Sequence, residues 1–184
     1  MSKRPWRLIA SRRDDSYRVF SIRTDRAVSP RNGMEYEFYV LESAPWVNVI
    51  PVTDDQEVVM VRQYRHGIRD FTLEIPGGLV EEGDTPQEAA CRELREETGY
   101  SAREMISLGF VHPNPAIQNN RCYTFLAQGA SKVGAQAQDG AEDIEVVTYQ
   151  LKEIPHLIRC GQITHSLVVV AFYRLFMEFY PKCV

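Results

Sequence analysis

Gly77-Gly78-Leu79-Val80-Glu81-Glu82-Gly83-Asp84 leads into Thr85-Pro86-Gln87-Glu88, and the chain runs on through Arg92-Glu93-Leu94-Arg95-Glu96-Glu97-Thr98 to Gly99-Tyr100. Thr85 offers an N-cap, Pro86 suits the first helical position, Glu88 completes a capping box and Gly99 ends the run, so one helix is expected between two loops. On that helix Glu93, Glu96 and Glu97 are related as i, i+3 and i+4 and emerge on one face. Three carboxylates there repel one another. In the C-terminal half of a helix the macrodipole disfavours each by a further ~0.3–1 kcal/mol. A hard divalent cation relieves both strains, since Mg²⁺ prefers oxygen ligands and bridges carboxylates to phosphate. An isolated acidic triplet is more often a solvated face offset by neighbours such as Arg92 and Arg95; the flanking glycines tilt the reading toward a cation site.

Outward from this helix, strand-like runs separated by turn signals fall at Tyr17 to Arg23, Glu35 to Leu41, Val47 to Val52 and Glu57 to Tyr64. Further strands are expected at Met105 to Val111, Arg121 to Ala127 and Ile144 to Tyr149, then a short helix near Pro155 to Cys160 and a longer one from about Ser166 to Phe179. Only Gln128 to Gly140 is compositionally loop-like. Antiparallel strands, a central helix, more strands and terminal helices predict an α+β or α/β/α layered domain. Residues 1–43 form an N-terminal strand region, either a separate small sheet or part of the main core, and residues 44–184 carry the principal domain.

With 184 residues and 44% hydrophobic content the chain supports one substantial core. A net charge of −4 argues against a surface that neutralises many phosphates, which makes long nucleic acids poor candidates for the natural ligand. A small anion remains admissible because a bound cation reverses the local field. Cys91, Cys122, Cys160 and Cys183 show neither a C-x-x-C pair nor zinc-ligand spacing, so reduced thiols and a cytoplasmic location are expected. The N-terminus lacks a signal-peptide pattern, and the apolar stretch Leu167 to Phe179 is too short to span a bilayer. No membrane partner is expected.

Gly78 through Tyr100 resembles the Nudix box, G-x5-E-x7-R-E-U-x-E-E-x-G-U with U a bulky apolar residue. Gly78, Arg92, Glu93, Leu94, Glu96, Glu97, Gly99 and Tyr100 fall in register, with 13 residues between Gly78 and Arg92. Asp84 stands where the box has its first glutamate. The resemblance implies an α/β fold, the Nudix α/β/α sandwich around a mixed sheet, and Mg²⁺-dependent cleavage of a pyrophosphate, with Mn²⁺ as a substitute. It implies Glu93 and Glu97 as principal metal ligands, Glu96 as a further ligand or water-bridging group, the Gly77 carbonyl as a backbone ligand, and Arg92 as the group that orients the glutamates.

The segments Val61 to Arg65 and Leu73 to Gly78 resemble those preceding the box in ADP-ribose pyrophosphatases and related nucleoside diphosphate sugar hydrolases. Pro115, 16 residues after Gly99, resembles their proline marker. By this likeness Arg65 binds a substrate phosphate, Glu74 is a metal-proximal or substrate-binding carboxylate, and Leu79, Asn114, Pro115 and Ala116 line the site. Arg65 also reads as a surface arginine, Glu74 as its packing partner or that of Arg69, and Asn114 to Ala116 as a rigid turn. The base is expected from Asp139 to Glu145: Glu142 first, as base or additional metal ligand, with Glu145 and Asp139 in reserve. Trp46 offers a face for a nucleobase or is a core tryptophan. His66, His112, His156 and His165 show no ligand spacing and are assigned no catalysis.

The resemblance further implies a homodimer through the N-terminal strands and a small nucleoside diphosphate sugar as substrate. Two rivals stand beside it: a Nudix hydrolase of dinucleoside polyphosphates, NADH or capped RNA, and a non-catalytic sugar-nucleotide sensor.

Overall fold

Strand pairing in the computed structural model, which describes residues 4–138, 140 and 143–180, begins with a three-stranded antiparallel meander: β1 (Arg7–Ser16), β2 (Ser21–Val28) and β3 (Glu35–Glu42). A strand was expected over Tyr17 to Arg23, but that stretch straddles a turn in which the Tyr17 amide donates to the Phe20 carbonyl at 2.8 Å. β1 itself, with Arg12-Arg13-Asp14-Asp15 and every residue exposed, carries no burial pattern that would announce it. This meander and the segment His112–Arg121 make one compact unit; Pro45–Val111 and Cys122–Val184 make the other.

In the second unit the strands are β4 (Trp46–Val52), β5 (Glu57–Arg65), β6 (Asp70–Glu74), β7 (Gly77–Leu79), β8 (Tyr100–Ser101), β9 (Glu104–Val111), β10 (Cys122–Gln128), β11 (Ser131–Lys132) and β12 (Ile144–Gln150). Seven of them form one sheet in the order β12-β5-β4-β10-β9, with β6 on β5 and β7 on β4. β4 and β10 run parallel and the other pairs antiparallel, which makes the sheet mixed. The helices are α1 (Pro86–Thr98), α2 (Ile154–Arg159) and α3 (Ser166–Phe179).

Strand alternation explains why helices cover both faces. Along β4, Val47 and Val49 point with Phe125 and Ala127 of β10 toward Ala89, Ala90 and Leu94 of α1. Ile50, Val52 and Leu126 point the other way, into a larger core with Leu157 of α2 and Phe172, Leu175 and Phe176 of α3. The result is the expected α/β/α sandwich. The sheet holds α1 on the face next to β7, so Gly77 and Gly78 of that strand lie against the acidic helix. No helix among the described residues is long and apolar enough to cross a membrane.

Candidate active site

α1 begins and ends where its residue types require. Thr85 is extended (φ −76°, ψ 155°), its hydroxyl accepts from the Glu88 amide, and Glu88 accepts from the Thr85 amide in return. Gly99 closes the helix at φ 74°, a left-handed conformation that glycine adopts without a Cβ penalty. The segment beyond β11 then caps the helix end. The amides of Val133 and Gly134 donate to the Gly99 carbonyl, that of Ala137 to the Glu96 carbonyl, and the Gln136 side chain to the backbone carbonyls of both Glu97 and Ile144.

Glu93 and Glu97 are buried and Glu96 is half-exposed. Arg92 gathers this face: Nη1 donates to Glu93 Oε1 at 2.9 Å and to Glu96 Oε2 at 3.2 Å, and Nη2 donates to the Leu79 carbonyl at 3.1 Å. Its Nε reaches Asp84 Oδ2 at 3.5 Å, so the aspartate at the variant box position ties the loop to the helix through Arg92. Burial works against the charge of the Arg92 guanidinium, and the field of Glu93, the hydrogen bonds to Glu93 and Glu96 and the field of Glu81 outweigh it, holding its pKa above the ordinary value. On the other side Glu97 Oε2 accepts the Gly77 amide at 3.0 Å.

The glycines permit this contact. A Cβ on Gly78 would lie 2.4 Å from Glu93 Oε1, and one on Gly77 would lie 2.3 Å from the Val47 carbonyl oxygen. Among the described residues no three His, Cys, Asp or Glu side chains are arranged to hold a metal ion. Glu93, Glu96 and Glu97 share a face but not a common ligand point, because Arg92 bridges the first two and Glu97 turns to Gly77. The donor chemistry nevertheless fits a hard divalent cation: two buried carboxylates and a third half-exposed one lie beside a loop stripped of side chain at Gly78.

Beside this face opens a cavity of about 510 Å³, with Trp46, Arg65, Glu74, Leu79 and His165 in its lining. Trp46 is half-exposed here and not a core residue. Arg65 forks onto Glu74, Nε to Oε1 at 2.7 Å and Nη2 to Oε2 at 2.6 Å, while Thr72 adds its hydroxyl to the same carboxylate. Burial alone would raise the Glu74 carboxyl; the Arg65 fork and Thr72 outweigh it and hold its pKa below the ordinary value. Glu74 thus packs with Arg65 as its partner.

Asn114, Pro115 and Ala116 belong to the first unit, where the Asn114 carbonyl accepts the amides of Ile117 and Gln118 and Ile117 bonds to Leu41 of β3. Glu142 and Asp139 lie outside the described residues. Glu145, the other reserve for the base, faces Arg62 across β12 and β5 with its Oε2 3.2 Å from Arg62 Nη1. Asn48 and Thr72, which the sequence does not single out, line the cavity, and so do His66 and His165, to which the sequence assigns no catalysis. For His165 the available signal is its place one residue before the helix expected from about Ser166, where an N-cap belongs.

The NUDIX domain family matches residues 43–166. A Bacillus methanolicus protein named methanol dehydrogenase activator is 31% identical over 164 residues, covering 89% of this chain and 88% of its own. An ADP-ribose pyrophosphatase of Bacillus subtilis (strain 168) is 28% identical over 145 residues, 78% of each chain. A solved structure described as an ADP compounds hydrolase superposes with a TM-score of 0.86 at 20% identity, over 99% of this chain and 98% of that one. The chain belongs to the Nudix family of pyrophosphohydrolases.

Proposed function

We propose that this chain hydrolyses the pyrophosphate of ADP-ribose or a related nucleoside diphosphate sugar, releasing a nucleoside monophosphate and a sugar phosphate. The observation that carries the reading is the adjacency of two features: the buried acidic face of α1 against Gly77–Gly78, and a cavity with an anchored guanidinium and an indole. The relatives named ADP-ribose pyrophosphatase support the substrate class.

Glu93, Glu96, Glu97 and the Gly77 carbonyl would hold Mg²⁺, or Mn²⁺ in its place. When bound, the cation neutralises diphosphate oxygens and acidifies an attacking water. Arg92 keeps Glu93 and Glu96 in register with the loop, and Arg65, held by Glu74, meets a phosphate with a pre-oriented guanidinium. Trp46 offers a face to the base. Glu142 is our choice for the group that takes the water's proton as the new P–O bond forms and the bridging P–O bond breaks.

A panel of ADP-ribose, GDP-mannose, NADH, a dinucleoside polyphosphate and capped RNA with Mg²⁺, scored for both products, tests the reading. Cleavage of ADP-ribose or GDP-mannose at the highest kcat/KM is expected. Cleavage of neither removes it.

We also propose a homodimer through the N-terminal strands. Trp6, Tyr36 and Phe38 are exposed on the three-stranded sheet and pack edge to face, with ring centroids 5.8 and 5.1 Å from Trp6. Such an exposed aromatic cluster suits the buried centre of a protein interface. Light scattering at micromolar concentration should give twice the chain mass, and Phe38→Lys should return it to one; a monomeric wild type would end this proposal. The free thiols of Cys91, Cys122 and Cys160 support a reducing compartment such as the cytoplasm.

A further inference from the structure

At the start of α3, His165 performs a task that smaller side chains perform well. Its backbone is extended (φ −67°, ψ 118°) and its ring Nδ1 accepts the Leu167 amide at 3.2 Å, which is the N-cap bond. Ser, Thr, Asn and Asp are the residues that favour this position. Capping therefore explains the acceptor and leaves the rest of the imidazole without a reason. In the neutral ring, a lone pair on Nδ1 places the proton on Nε2, so the far side of the ring is a hydrogen-bond donor.

The turn that carries this donor is fixed. Leu167 is buried, and its carbonyl accepts from Asn48 Nδ2 of β4 at 3.3 Å. β4 is the strand that pairs with Gly77 and Gly78, so one strand positions both β7 and the start of α3. His165 lines the same cavity as Trp46, Arg65 and Glu74. There Arg65 directs Nε and Nη2 at Glu74 and leaves its Nη1 edge outside that pair. A largely apolar cavity with a few fixed donors is the arrangement that orients a small anionic ligand.

We infer that His165 is a substrate-binding residue whose Nε2–H donates to a phosphate oxygen of the nucleotide held by Arg65, while its Nδ1 caps α3. The inference rests on the function proposed above for the cavity's identity as a nucleotide site. It adds a second donor to the cavity that Arg65 lines and gives the cap of α3 a part in recognition.

The two ring nitrogens can be separated by substitution. Asn at this position supplies the cap acceptor without the far donor, whereas Ala supplies neither. AMP affinity by calorimetry, melting temperature, and kcat and KM for ADP-ribose with Mg²⁺ would be measured on wild type, His165→Asn and His165→Ala. The Asn variant should keep the wild-type melting temperature while AMP affinity falls and KM rises by about tenfold, the loss of one hydrogen bond to a charged group. His165→Ala should lose the same affinity and melt lower as well. Equal AMP affinity in wild type and His165→Asn, or a wild type that does not bind AMP, overturns the inference. A wild type that binds AMP through His165 but cleaves no sugar nucleotide would remove the proposed reaction and leave the inference standing; turnover with an unaltered Asn variant would do the reverse.

Discussion

Glu97→Gln should reduce kcat/KM on the order of a hundred- to a thousandfold while leaving the melting temperature nearly unchanged. The separation of the two effects follows from what Glu97 touches. Its Oε2 accepts the Gly77 amide at 3.0 Å, a bond that a glutamine carbonyl oxygen also makes, so the contact between α1 and the loop survives. The variant removes one negative charge from a buried position where two carboxylates, Glu93 and Glu97, lie on one helical face. If that charge exists to hold a divalent cation, its loss weakens cation affinity and turnover together. Mn²⁺ binding followed by electron paramagnetic resonance gives a readout independent of catalysis, and should weaken in the same variant. Unchanged turnover and unchanged Mn²⁺ binding would remove α1 as the metal-binding helix and, with it, the proposed chemistry.

The acidic face was legible because its information is local. Capping box, proline, helical spacing and terminal glycine all lie within Thr85 to Gly99, and the structure returns that helix with the bounds its residues imply. The same holds for α3, whose apolar run is long and whose expected span matches the observed Ser166–Phe179. What sequence could not show depends on register between distant segments. β7 is three residues long and pairs with β4 only because Gly77 lacks a side chain where the Val47 carbonyl passes. The pairing of Arg65 with Glu74 requires the β5–β6 hairpin, in which Arg65 faces Asp70 and Glu74 faces Val61. His165 reaches the cavity through a helix about a hundred residues further along the chain. β1 was missed for a different reason, since a strand exposed on every residue leaves no alternation to detect.

Arg65→Ala tests the hairpin pairing, and its signature is a stability loss that depends on pH. Glu74 is nearly inaccessible, with side-chain exposure of 4%, and Arg65 supplies two of its hydrogen bonds. Removing the guanidinium leaves a buried carboxylate with Thr72 as its remaining named donor, for which a cost of about 2–3 kcal/mol at pH 8 is expected; this is below the value for a fully buried pair because Arg65 is 42% exposed. In the wild type the Glu74 carboxyl is held below its ordinary pKa, so the pair contributes stability in full above the ordinary carboxylate range and loses it as pH falls through and below that range. In Arg65→Ala burial dominates and raises the Glu74 pKa, so the side chain neutralises at a higher pH and the penalty shrinks on acidification. Urea denaturation at pH 8 and at pH 4 should therefore show the two proteins converging at the lower pH. Glu74→Gln should remove most of this pH dependence while keeping an acceptor for Arg65. A gap that stays constant between the two pH values would mean that Arg65 stabilises the hairpin by packing its methylenes. Should the gap close as expected while KM for the sugar nucleotide still rises in Arg65→Ala at pH 8, one guanidinium holds the buried carboxylate and presents its remaining edge to phosphate, because the carboxylate that orients it engages only Nε and Nη2.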